Sequence, residues 1–77
     1  MNRQDFLKQL ADILIADPGA LAPQARLASF RGWDSMGKMA ALTLLDADMN
    51  IPVPLDWLQK CETVGDLLEF VGPHLKD

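Results

Sequence analysis

Apolar side chains recur at three- and four-residue spacing at the start of the chain: Phe6, Leu7, Leu10, Ile13 and Leu14, with Arg3, Gln4, Lys8, Gln9 and Asp12 between them. That period predicts an amphipathic helix from Asn2 to Ala16. Asn2 suits its N-cap, with Asp5 three residues on, and Asp17-Pro18-Gly19 is expected to stop it. From Pro18 to Trp33 the period is lost. Gly19, Pro23 and Gly32 punctuate the stretch, and Leu21, Leu27 and Phe30 are spaced too unevenly for one helical face. We expect a long ordered loop whose apolar residues plug into the core, with room for a short helical turn.

Asp34 is a good N-cap for a second helix, expected to run to about Met49 through Met36, Met39, Ala40, Ala41, Leu42, Leu44 and Leu45. It is apolar nearly all round, as in a central helix or one that shows an apolar strip to a partner. Asn50 can end it, and Pro52 and Pro54 prevent continuation. Leu55 to Cys61 allows one or two helical turns. Thr63 then caps a last helix to about Val71, with Asp66 in the reciprocal position of a capping box and Val64, Leu67, Leu68 and Val71 as its buried stripe. Gly72-Pro73 ends it and leaves a short tail. The fold class is all-α: a bundle of three main helices and one short one, with a long loop between helices one and two.

Composition narrows the reading. At 77 residues there is room for one domain, 1–77, and 49% hydrophobic with 23% charged residues suits a folded one. A net charge of -4 argues against a nucleic-acid partner and fits a soluble monomer that docks on basic surfaces. The single cysteine, Cys61, excludes an internal disulfide and a cysteine-cluster metal site, and no metal is expected. No leader and no apolar run of membrane-span length is seen, so membrane insertion is not expected and the default location is cytoplasmic.

The informative stretch is Gly32-Trp33-Asp34-Ser35-Met36. By itself the Asp-Ser-Met triplet also fits a helix cap followed by a serine of no special role. The stretch resembles the attachment motif of acyl carrier proteins, in which such a triplet begins the second helix. Nearly the whole chain follows that family's order of elements. Val53-Pro54 is similar to its Ile-Pro before the short helix, and Thr63-Val64 to the Thr-Val that opens the last one. The resemblance implies that Ser35 receives phosphopantetheine from coenzyme A, through a phosphodiester made by a separate transferase. The arm's thiol would hold an acyl or aminoacyl group as a thioester. The positive end of the helix dipole suits that phosphodiester, and Asp34 serves as motif residue and helix cap.

The resemblance also assigns surfaces. Met36, Gly37, Lys38, Ala40 and Trp57 would meet partners, with Trp57 exposed on the short helix. Met39, Leu42, Leu45, Leu58 and Cys61 would surround an acyl pocket, with Met39 and Cys61 doubling as core. Apart from the resemblance, Trp33 could serve an interface, but it is expected rather to seal the loop against the second helix. The familiar fatty-acid carriers have an acidic second helix, whereas Gly37, Ala40 and Ala47 stand here where acids are usual and Lys38 adds a positive charge. Asp34 to Gly37 also looks like the matching stretch of D-alanyl carrier proteins. These departures point to a stand-alone carrier for one dedicated pathway. Its partners would be a phosphopantetheinyl transferase, an acyl- or aminoacyl-loading ligase or transferase, and downstream pathway enzymes.

Two other readings use the same residues. An unmodified helical protein–protein interaction module needs only the apolar second helix. A serine hydrolase needs a positioned base, and the only histidine, His74, follows Pro73 in the tail, where it is expected to be solvated. No glycine-flanked nucleophile elbow surrounds Ser35, so no catalytic residue is expected.

Overall fold

The structure, a computed structural model, describes residues 2–75; Met1 and the end of the short tail, Lys76 and Asp77, lie outside the described residues. Helix α1 spans Arg3–Leu14, with Phe6, Leu10, Ala11 and Leu14 buried and Leu7 and Ile13 half-buried. The Asn2 side-chain oxygen accepts the Asp5 amide at 2.8 Å, as expected of the cap. The helix ends earlier than the sequence signals suggest. Ile15 takes the left-handed conformation (φ 56°), and the amides of Ile15 and Ala16 turn back to the carbonyls of Asp12 and Ala11 at 3.3 and 3.0 Å. This is a Schellman closure, complete before Asp17-Pro18-Gly19 is reached.

The long connection is ordered, with 3₁₀ turns at Pro18–Ala20 and Leu27–Ser29. Leu21 and Leu27 are buried and Phe30 is half-buried, as the plugging role requires. Two backbone clamps hold it. Near its middle, the amides of Leu27, Val64 and Gly65 donate to Glu62, Ala25 and Pro23 at 2.8, 2.9 and 2.8 Å, around an isolated antiparallel bridge between Arg26 and Thr63. At its end, the Gly32 amide donates to the Leu14 carbonyl at 3.1 Å. The loop is therefore tied both to the end of α1 and to the start of the last helix.

Helix α2 covers Ser35–Thr43, and Leu44–Asp48 then widen into a π turn in place of the expected α-helical continuation. Its i→i−5 bond runs from the Met49 amide to Leu44 at 3.2 Å. Asn50 at φ 59° reverses the chain, and Ile51 bonds back to the Leu45 carbonyl at 2.7 Å. Helix α3 is Leu55–Lys60 and helix α4 is Val64–Val71. The α4 capping box is complete: the Thr63 hydroxyl accepts the Asp66 amide at 3.2 Å, and the Asp66 carboxylate accepts the amides of Thr63 and Glu62 at 3.1 and 2.9 Å. A 3₁₀ turn at Gly72–His74 follows.

Every α-helix contributes to one core. Leu14 from α1, Leu58 from α3, and Val64 and Val71 from α4 meet Leu45 from the π turn and Leu27 from the loop, all essentially inaccessible. Each such aliphatic side chain contributes about 1.5–3 kcal/mol by leaving water. Among the described residues no helix is long and apolar enough to cross a membrane.

Candidate functional site

Ser35 is the first residue of α2 and is exposed. Asp34 precedes it in extended conformation, and its Oδ1 accepts the Gly37 amide at 2.8 Å while its carbonyl accepts Lys38 at 2.9 Å. The amides of Ser35 and Met36 have no acceptor inside the helix. The serine hydroxyl thus stands at the positive end of a helix, and the nearest carboxylate is already engaged with Gly37.

Two glycines give this platform its footing. A Cβ on Gly37 would run into the Gly32 carbonyl oxygen, and a Cβ on Gly32 would run into the backbone of Ile13 and Leu14. The start of α2, the end of the loop and the end of α1 consequently stack backbone on backbone. Gly37, assigned to the partner-contact surface in the sequence reading, is instead buried, and its role is this close approach. Of the other expected contact residues, Met36 (83% exposed) and Ala40 stand on the surface. Lys38 is half-buried and turns away towards α3, its Nζ lying 5.9 Å from the centroid of the Trp33 ring. Trp33 itself is half-buried and packs against the core.

Trp57 corrects an expectation. It is half-buried, its ring 4.3 Å from that of Phe70 in α4 and tilted by 40°. The residues expected to surround an acyl pocket also divide. Leu45, Leu58 and Cys61 are packed into the core, Leu42 is half-buried against it, and Met39 is 51% exposed. Met39 fails as a core residue because the buried side of this segment runs through Gly37, Ala41, Leu44 and Leu45, and position 39 falls nearly opposite 37 and 41. Leu58 lies in the core.

Cys61 behaves as a small core hydrophobe. Its Sγ lies 3.6 Å from the Trp57 carbonyl oxygen, and burial, with the nearby Asp66 charge, pushes the thiol up to about 11. It therefore stays a neutral, poor nucleophile at ordinary pH. His74 is exposed in the turn after α4, and Asp46 and Asp48 are exposed as a solvated face.

On the α1 side of Ser35 the sequence reading missed two residues. Ile13 and Ile15 line a shallow groove with Asp34, Met36 and Ala40. Ile15 lies off the Phe6, Leu10, Leu14 stripe, and that misplaced apolar residue was the available signal. The open surroundings of Ser35, the two amides without helical acceptors and the engaged Asp34 carboxylate together fit a phosphodiester on the serine oxygen.

No family model matches the chain. It is similar to an acyl carrier protein from Thermosynechococcus vestitus (strain NIES-2133 / IAM M-273 / BP-1), being 28% identical over 76 residues that cover 94% of each chain. That likeness over nearly the full length, on an all-helical bundle, supports the acyl carrier family and a carrier role in general.

Proposed function

We propose that the chain carries acyl or aminoacyl groups for one dedicated pathway, on a phosphopantetheine arm at Ser35. The observation that carries this reading is the placement of Ser35: exposed, first in α2, and fixed to the backbone of α1 and the loop through Gly37 and Gly32. When bound, the arm supplies a terminal thiol that holds the cargo as a thioester. The chain itself provides the attachment oxygen, a helix start that favours the phosphodiester, and Asp34 as cap and recognition residue. It moves no proton and cleaves no bond; its contribution is to raise the effective concentration of tethered cargo at each enzyme that docks.

A transferase must install the arm, a loading ligase or transferase must charge it, and downstream pathway enzymes must receive the cargo, in the cytoplasm. A dedicated pathway is supported by Ala40 and Ala47, both exposed, where the fatty-acid carriers present acids, and by Lys38 turned onto Trp33. The test is intact mass before and after incubation with coenzyme A and a broad-specificity phosphopantetheinyl transferase. Wild-type protein gains a single arm and folded Ser35→Ala gains none. A folded wild-type chain that gains nothing from several transferases would shift the assignment to an unmodified interaction module.

A further inference from the structure

Three shallow grooves meet at Asp12, on the α1 side of Ser35. Two of their floors are apolar, Ile13 and Leu44 in one and Ile13, Met36 and Ala40 in the next; the third sets Ile15 and Ala16 beside Asp12 and Asp17. Their rims carry Asp12, Asp17, Asp34 and Asp48, and among the described residues no lysine or arginine lines any of them. Lys38, the cation nearest Ser35 in sequence, turns to Trp33 on the other flank.

Ile15 is the decisive residue. It occupies the left-handed position of the Schellman closure, where glycine or asparagine sits without strain and a β-branched residue is an outlier. Burial does not offset that strain, because Ile15 is 67% exposed. An apolar side chain held outward at a conformational cost contributes nothing evident to the fold, and such strain concentrates where a surface is used. Met36, 83% exposed, lines the same groove.

We propose that this α1–α2 groove docks the enzyme that acts on Ser35, and that it receives from that enzyme an apolar side chain flanked by lysine or arginine. The inference rests on the carrier reading. Asp34 and Met36, the two neighbours of Ser35, line the groove, so a protein that reaches the serine must cover this ground. An apolar floor inside an acidic rim is complementary to an apolar anchor inside a basic one. Ile15, Ile13 and Asp12 thereby make the end of α1 part of the recognition surface.

The test measures initial rates of arm transfer by a broad-specificity phosphopantetheinyl transferase, over a range of carrier concentrations and at low and high salt. In that step the Ser35 oxygen bonds to phosphorus, the pyrophosphate bond of coenzyme A breaks, adenosine bisphosphate leaves and the serine proton is released. Ile15→Asn raises KM by roughly tenfold with kcat unchanged, and its melting temperature rises because asparagine accepts the left-handed conformation. Asp12→Lys also raises KM and weakens its dependence on salt. An unchanged KM in Ile15→Asn, a KM rise accompanied by lost stability, or an unaltered salt dependence in Asp12→Lys overturns the groove while leaving the carrier reading standing. A folded wild-type chain that accepts no arm from several transferases removes the carrier reading, and the groove assignment with it.

Discussion

The two flanks of α2 use apolar side chains in opposite ways. Towards α3 and α4 most are shut in: Leu58 is wholly buried, Cys61 nearly so, and Trp57 lies against Phe70, with Leu55 at the start of α3 left 38% exposed. Towards the end of α1, beside Ser35, some are left out: although Phe6, Leu10 and Leu14 are buried, Ile15 and Met36 are largely exposed above a groove that, among the described residues, carries acids and no bases. Ser35 stands at the head of the helix that divides them. Both flanks feed the core, but only the end of α1 leaves apolar side chains available to whatever comes to the serine. In a chain of 77 residues a single core has little stability in reserve, so exposed apolar side chains are most informative where they are also strained.

The closed flank should break first and furthest. Leu58→Ala is expected to cost about 3 kcal/mol, read as a lower urea midpoint, because it empties a site shared by α3, α4 and the core. The Ser35 platform should give next. Gly37→Ala is expected to cost about 2 kcal/mol, since the added methyl meets the Gly32 carbonyl and the backbone must shift. That shift also slows modification of Ser35, whereas Leu58→Ala, while folded, leaves modification intact.

The smallest effect is a pH dependence on the closed flank. Hydrogen bonds from the Glu62 and Thr63 amides hold the Asp66 carboxyl below its ordinary value of 3.8. A carboxyl whose folded pKa is depressed stabilises the fold above its unfolded pKa, and that stabilisation is lost as pH falls through the folded value. Thermal unfolding of wild type against Asp66→Asn should therefore converge below the ordinary carboxylate range and diverge above it. Equal separation at every pH would show that the capping charge is without effect.

The sequence made the helices and their caps readable because those signals are local. Asn2, Asp34 and Thr63 each accept an amide three residues on, and Asn50 takes the left-handed turn that ends α2 with its π extension. Ser35 was legible as a position for the same reason. What was not legible depends on contacts between segments distant in the chain. Gly37 reads as a surface residue until the Gly32 carbonyl is found against it, and Trp57 reads as exposed until Phe70 covers it. The π turn, closed by the Met49 amide on the Leu44 carbonyl, carries no composition signal that distinguishes it from ordinary helix. The end of α1 was misjudged because proline and glycine are strong punctuation, yet the backbone closed two residues earlier at an isoleucine.

The most direct measurement is a count of reactive thiols by alkylation at neutral pH, with peptide mapping, before and after treatment with coenzyme A and a phosphopantetheinyl transferase. Before treatment the folded chain should present none, because Cys61 is enclosed and its thiol is pushed up to about 11. After treatment it should present one, on the peptide that contains Ser35. Label on the Cys61 peptide of the folded protein, or no new thiol on the Ser35 peptide, would contradict the division into a closed flank and a serine that bears the cargo.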